Sequence, residues 1–490
     1  MRFTELLPHL SAVAQDQGST IYLVGGCVRD GLLGRPLVDV DLAIRGDASA
    51  YAHVLADRLG GSYAPLGERF GTARVVLHSE GGEVVQIDCT AFAATIENDL
   101  LRRDFTIDAM AVDPEGFDGD WGRARLIDPC GGRSDLEQRV LRLVSPGALD
   151  DDPLRLLRAV RLTAEMHLAL DAETAFAIKA RAQLLERPAS ERQRDEIGKI
   201  FAAEGTAHWL ALMDGLGLLD VVIPELAQSK GVEQPKEHHW DVYNHQIEAV
   251  AAVEALMERR VSKLLEPRPY LHQALTHVSW PPSIEGYFGE DIGGGHSRKA
   301  ILKLTALLHD IAKPATKTFE PSGRMRFFGH EELGAVMAKR ILRRLRFGNH
   351  GIDAVTRMVD NHLRPGQWSE GGMPTPRALY RFFRDLGNVA IDTIFLNLAD
   401  HLAARGPTLD LVRWRQHVDI ANAAIAYYFD QQTRTAASRL VTGKDIMSAL
   451  NLTPGPLVGQ LLAEIEEAIA VGAVTTKEEA LDLARRSLAA

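Results

Sequence analysis

Residues 21–44 read IYLVGGCVRDGLLGRPLVDVDLAI: an apolar run, a Gly-Gly turn, a helix opening at Val28-Arg29-Asp30, and a second β-rich run carrying Asp39 and Asp41. Carboxylates two residues apart on a strand point to the same face. Side by side they repel each other unless a cation lies between them. Mg²⁺ suits that place, because it binds through one or two carboxylates and fills its shell with water and phosphate oxygens. Gly25-Gly26 lets backbone N–H groups approach an anion closely, and Arg29 adds a fixed cation beside them. The stretch therefore predicts a strand, turn, helix and strand that bring a cation and an anion together.

Outward from this unit, residues from about 20 to 145 alternate short β-rich runs with helical segments. Strands are predicted at 21–24, 38–44, 73–78 and 84–89, a turn at 128–132, and a helix start at Ser134-Asp135-Leu136-Glu137. After Asp150 the pattern becomes helical. Leu154, Leu157, Ala159, Val160 and Leu162 define an apolar face, while Arg155, Arg158 and Arg161 recur every third residue. Stretches near 225–240 and 264–298, the latter with Gly293-Gly294-Gly295, predict a connection and a loop-rich insertion. From Lys299 onward the chain is again helical. The fold class is α+β: a mixed α/β head followed by a long helical body.

At 490 residues the chain should hold about two to four domains. Its three cysteines, Cys27, Cys89 and Cys130, form neither a metal-ligand spacing nor a disulfide framework, which predicts a reducing cytoplasm. The N-terminal MRFTELLPHLSAVAQDQ reads as an amphipathic helix rather than a signal peptide, and no apolar run approaches membrane-spanning length. A net charge of −11 does not advertise a nucleic-acid binder. Local basic patches matter more, and Lys339, Arg340, Arg343, Arg344 and Arg346 spread over one predicted helix.

GGCVRD followed by DVD resembles the class II tRNA nucleotidyltransferases and bacterial poly(A) polymerases, members of the DNA polymerase β superfamily. LLRRDFTIDAMAVD (100–113) is similar to the family's RRDFTINA motif, with Asp108 where the family usually carries Asn. LIDPCGGRSDL (126–136), DDPLRLLRAVR (151–161) and SERQRDEIGKI (190–200) follow the family pattern too, although Asp151 replaces its usual Glu. The resemblance implies a DNA polymerase β-like head at 1–145, a helical neck at 146–225, a body at 226–403 and a helical tail at 404–490. It implies that Asp39 and Asp41 hold Mg²⁺, with Asp88 as a third carboxylate, and that Gly25, Gly26 and Arg29 hold a triphosphate. Arg102 and Arg103 suit triphosphate contacts and Asp104 a ribose hydroxyl. Asp152 and Arg155 would read the incoming base without a template, a carboxylate accepting from an exocyclic amine, with Arg158 and Arg161 nearer the phosphates. The implied substrates are a tRNA 3′ end, CTP and ATP. Only CTAFAATIENDLL separates Asp88 from Arg102, a shortening that resembles members adding two cytidines and leaving the last A to a separate A-adding enzyme. The alternatives are a poly(A) polymerase, which shares these motifs, and a protein that is mainly a phosphohydrolase.

The last alternative comes from the body. His245, His309-Asp310, His330, His362 and Asp400 occur in an order that looks like an HD-type metal-dependent phosphohydrolase. An adjacent His-Asp on one helix can bridge two metals while histidines from other helices complete their shells. Imidazole with carboxylate suits Mn, Fe, Ni or Zn, and Lys313 would pair with a phosphate.

Overall fold

The computed structural model describes residues 3–37, 39–67, 71–78, 84–292, 294–435 and 440–489. Met1, Arg2, Val38 and Gly293, each part of a segment discussed above, lie outside the described residues. The chain forms two compact units, one of residues 1–189 with 215–221, the other of residues 190–214 with 222–490.

The first unit is built on a seven-stranded sheet: β1 (Thr20–Val24), β2 (Asp39–Arg45), β3 (Ser62–Gly67), β4 (Thr72–His78), β5 (Val84–Phe92), β6 (Ala111–Val112) and β7 (Leu126–Ile127). Their order is β3-β4-β5-β2-β1-β6-β7. β2 runs parallel to β5 and antiparallel to β1, and β4 is antiparallel to β5. The mixed sheet and four of its strands agree with the expectation. β3 was not foreseen, because Pro65 and the terminal Gly67 count against a strand; Pro is tolerated there because β3 is an edge strand.

Helices Phe3–Gln17 and Ala48–Leu59 supply Leu10, Val13, Tyr51 and Leu55 to the core, and the Tyr51 hydroxyl donates to the Leu10 carbonyl at 2.9 Å. Asp47 caps the second of these helices through the Ala50 N–H, and Gly60 ends it at φ 65°. The helix read from Ser134 begins earlier, at Gly132, whose N–H donates to Asp128, and stops at Glu137. The charged helix is also reshaped. A short helix, Ala148–Asp151, ends at an extended Asp152, and the helix carrying the arginines is Arg155–Met166. Pro153 forces this break, since the residue before a proline is driven out of the helical region.

In the second unit, helices Val242–Glu258, Arg298–Leu308, His330–Arg344, Asn349–Asn361 and Ala390–Arg405 pack side by side. Two features depart from the expected pattern. Residues 264–298 hold the helices Pro269–Leu275 and Ser283–Gly289, and a small antiparallel hairpin joins Thr318–Phe319 to Met325–Arg326. Of the basic patch, Arg344 is drawn onto Glu225 at 2.7 and 2.9 Å. Helices Gly443–Leu450, Pro456–Ala470 and Lys477–Ala489 close around Ile446, Leu461, Ile465 and Ala480. No helix among the described residues is long and apolar enough to cross a membrane.

Candidate active site and metal centre

The sheet register gathers the carboxylates of the first unit. Asp41 lies directly across from Asp88 on parallel β2 and β5, and Asp39 shares Asp41's face two residues earlier. Asp88 in turn faces Arg74 on β4, which donates to both its oxygens at 2.7 and 2.8 Å. Arg74 was missed in the sequence, though a lone charge inside the alternating TARVVLH run is the signal that would have found it.

Burial pushes the Asp41 carboxyl up to about 6; Arg103 opposes the shift, while Asp88 and Asp108 add to it. A carboxylate as poorly compensated as Asp41, with two more on the same sheet face, fits a divalent cation.

The Gly25-Gly26 turn lies under this cluster, and a Cβ at Gly25 would come 2.9 Å from Arg103 Nη1 and 3.3 Å from Asp41 Oδ2. Gly25 takes φ 68°, so the position suits glycine alone. Arg29 follows, held by Asp30 at 2.8 and 3.0 Å and by Asp108 at 2.7 Å. Burial disfavours its charge, but Asp108 and Asp30 outweigh that and keep it protonated. Asp108, noted above only as a departure, is thus Arg29's buried partner.

Arg103 reaches Asp99 at 3.2 Å, and Arg102 is exposed beside the same carboxylate. Asp104 is buried, accepts from the Phe105 N–H, and meets Arg158 Nε at 3.1 Å, which ties the RRD motif to helix Arg155–Met166. Arg155 donates to the Ala148 carbonyl at 3.0 Å and Arg161 to Glu165 at 2.7 Å. Asp152 accepts from the Leu154 N–H. Gly25, Gly26, Arg29, Asp41, Arg103 and Asp108 are thereby brought together, with Asp39 and Asp88 on the same sheet face as Asp41. Asp104 and Arg158 form a second contact, and Arg161 turns to its own helix.

In the second unit all six expected residues converge. His245, His309, Asp310 and Asp400 form one group and Asp310, His330 and His362 another, each with its donor atoms within 4.8 Å of one another. Asp310 belongs to both: its Oδ2 lies 3.1 Å from His245 Nε2 and 3.2 Å from His309 Nε2, while its Oδ1 lies 3.4 Å from His330 Nε2. Asp400 Oδ1 is 3.1 Å from His245 Nε2. Nδ1 of His309, His330 and His362 each lies within 2.8 Å of the carbonyl three residues back, and donating there would leave every Nε2 with a lone pair toward the centre.

Burial disfavours a charge on His309, yet Asp310 and Asp400 raise it to about 10. The two overlapping groups of donor atoms could hold a metal cation. Lys313 Nζ lies 2.5 Å from Asp310 and 2.8 Å from Gln234. His238, not foreseen, stacks edge-on to His245, and burial, with Lys313 and His245 adding, holds it down to about 4.

Comparison with known proteins follows the same division. Residues 21–142 match the Poly A polymerase head domain, 167–230 the probable RNA and SrmB-binding site of polymerase A, and 285–405 the HD domain. An A-adding tRNA nucleotidyltransferase of Deinococcus radiodurans is 34% identical over 472 residues, covering 95% of this chain and 94% of its own. A CC-adding tRNA nucleotidyltransferase of Thermus thermophilus is 32% identical, covering 93% and 91%. Among solved structures, the Thermotoga maritima CCA-adding enzyme complexed with tRNA shares the fold at TM-score 0.61 and 21% identity, over 99% of this chain and 95% of that one. With likeness running nearly end to end through an acidic head and a histidine–aspartate body, the chain belongs to the class II tRNA nucleotidyltransferase family.

Proposed function

We propose that this chain extends tRNA 3′ ends with C and/or A residues from CTP and ATP without a nucleic-acid template, by in-line attack of the RNA 3′-hydroxyl on the α-phosphate. The observation that carries the reading is the shared face of Asp39, Asp41 and Asp88 beside Gly25-Gly26, Arg29 and Arg103. Mg²⁺ bound by Asp39 and Asp41 would supply Lewis acidity toward the 3′-hydroxyl and the triphosphate. Asp88, steered by Arg74, backs that pair. Gly25 and Gly26 leave room for phosphate oxygens, and Arg29, Arg102 and Arg103 orient them through guanidinium donors. Asp104 accepts from a ribose hydroxyl while Arg158 fixes its carboxylate. Asp152 accepts from the exocyclic amine of C or A and Arg155 donates to the ring edge, with Arg158 and Arg161 toward the phosphates.

The division into head (1–145), neck (146–225), body (226–403) and tail (404–490, a further tRNA contact) belongs to this reading. So does a cytoplasmic setting, in keeping with three unpaired cysteines.

Addition of CC alone is the second reading, favoured by one observation: residues 93–101, more than half of them in the short helix Ile96–Leu100, are all that separates β5 from Arg102. The test is extension of tRNA transcripts lacking CCA, ending in CC, or complete, with CTP, ATP or both, resolved at one nucleotide beside an Asp39→Ala, Asp41→Ala control. Full CCA from this chain alone removes the CC-only reading. Arrest after two cytidines supports it and implies a separate A-adding enzyme. A single A added only to the CC-ended transcript means A addition, and an ATP-only ladder on arbitrary RNA makes the chain a poly(A) polymerase.

A second activity rests on the convergence of His245, His309, Asp310, His330, His362 and Asp400: a metal-dependent phosphohydrolase. Mn, Fe, Ni or Zn held there would supply Lewis acidity at a phosphoryl oxygen. Phosphate release from an RNA-end phosphate that stops on chelation and returns with one of these metals is the expected result; no release with any of them removes this reading.

A further inference from the structure

A cavity of about 310 Å³ opens from the histidine–aspartate centre, lined by Asp310, His330 and His362 together with Arg326, Phe327 and Phe328. That volume suits a small organic ligand. Phe328, in the turn just after the hairpin, is 70% exposed, and Phe319, on the hairpin's first strand, is 64% exposed. Phe319 lies directly across from Met325, which also lines the cavity. Each phenylalanine of this stretch keeps a cation near its ring: Lys317 at 5.9 Å from Phe319, Lys313 at 5.6 Å from Phe327, and Arg326 at 5.8 Å from Phe328. Residues 317–328, KTFEPSGRMRFF, carry Lys317, Arg324 and Arg326 against Glu320 alone, an excess of positive charge within a chain of net charge −11.

Exposed rings interleaved with cations are how proteins hold nucleic-acid bases outside a duplex. The ring offers a π-face to any base, and the cations track the phosphates. Lys313, which also lines the cavity, places its ammonium beside Asp310, where a phosphate would sit.

We propose that the Thr318–Arg326 hairpin with Phe328 is a base-stacking platform for the histidine–aspartate centre, whose ligand is a nucleoside monophosphate, free or at the end of an RNA strand. The base lies on Phe328, the phosphate points to Lys313 and the metal ligands, and Phe319 receives the neighbouring base when the ligand is a strand. This rests on the phosphohydrolase reading of the same site and adds to it the element that holds the base.

The test is titration calorimetry of the full chain with cytidine 3′-monophosphate, with a cytidine pentamer bearing a 3′-phosphate, and with β-glycerol phosphate, which has no base. Wild type, Phe328→Ala, Phe328→Trp and Phe319→Ala are compared; both rings are exposed, so the variants keep the fold. Phe328→Ala should weaken the mononucleotide about tenfold, leave glycerol phosphate unchanged, and be rescued by Phe328→Trp. Unchanged nucleotide affinity in Phe328→Ala, equal weakening of glycerol phosphate, or no binding of any probe overturns the platform. Loss in Phe319→Ala confined to the pentamer identifies the RNA end as the source, and equal affinity of pentamer and mononucleotide identifies the free nucleotide. Phosphate release is followed in parallel with added Mn²⁺. Phe328-dependent binding without release removes the phosphohydrolase reading and leaves the platform standing.

Discussion

Gly25 joins backbone geometry to charge placement. Its φ of 68° is costly for any residue with a Cβ, by about 1–2 kcal/mol, and the added carbon would displace Arg103 from beside Asp41. Gly25→Ala is therefore expected to lower the melting temperature by a few degrees and to raise KM for CTP or ATP about tenfold or more, read from single-nucleotide extension kinetics. Asp39→Asn behaves differently, because Asp39 is exposed and supports no packing. Loss of a metal-binding carboxylate is worth several kcal/mol at the transition state, so the rate should fall about 10³-fold with the melting curve unmoved. A parallel loss of stability in Asp39→Asn would count against its role in catalysis. The aspartates themselves were legible, since a spacing of two on a strand fixes a shared face whatever the rest of the fold does. Their partners were not. Arg74 meets Asp88 only through the register of β4 on β5, and Asp108 meets Arg29 only because the turn at Thr106–Asp108 returns to helix Gly26–Leu32. Neither distance is written in local spacing.

Elements were legible in proportion to their length and regularity. β1, β2, β4 and β5 alternate or run apolar and were foreseen, whereas the strands of the hairpin at 318–326 are two residues each and leave no periodicity to read. Helix Val242–Glu258 shows what a terminus contributes to a site one turn away. Asp241 accepts from the Asn244 N–H at 2.8 Å and from the Gly231 N–H at 2.8 Å, and His245 sits on the first turn it caps. Asp241→Ala should cost about 1 kcal/mol and weaken metal retention, checked by metal content after dialysis against a chelator. Helix Leu411–Thr435 carries a pH-sensitive position. His417 is buried, shares a hydrogen bond of 3.0 Å with Asn397, and lies close to the His401 ring; burial, then His401, hold it down to about 3. Unfolded, it titrates near about 6.5. Between these values the unfolded chain binds the extra proton, so this contribution to stability is full above about 6.5 and is lost as pH falls toward 3. His417→Gln should flatten the decline of melting temperature from pH 6.5 to 4; an unchanged slope would rule the residue out.

The two compact units differ in kind: a seven-stranded sheet with its flanking helices, and an assembly whose described residues form helices, one short hairpin and one isolated bridge. Motifs made the two chemistries legible in the sequence, yet the path of the chain between the units was not. Residues 190–214 belong with the second unit and 215–221 with the first, so the chain crosses three times, marked only by isolated residues such as Pro188, Gly215, Gly217 and Pro224 rather than by a long linker. Packing partners decide that assignment, and a single sequence does not show them. The division has a thermodynamic consequence. The two tight groups of candidate metal-ligating atoms found among the described residues lie in the second unit, so a transition metal held there would stabilise that unit by binding its folded state alone. At a free concentration 100 times the dissociation constant the gain is about 2.7 kcal/mol. Calorimetric melting of chelator-treated protein should thus show one transition that rises by several degrees on adding Mn²⁺ or Ni²⁺, and one that does not. His309→Ala should abolish the rise, because it removes a donor and leaves Asp310 and Asp400 without the charge that balances them. Asp39→Asn should leave the rise intact, since that carboxylate lies on the sheet of the other unit. A rise that survives His309→Ala would place the stabilising metal outside the histidine–aspartate centre, and the phosphohydrolase reading would lose its physical basis with it.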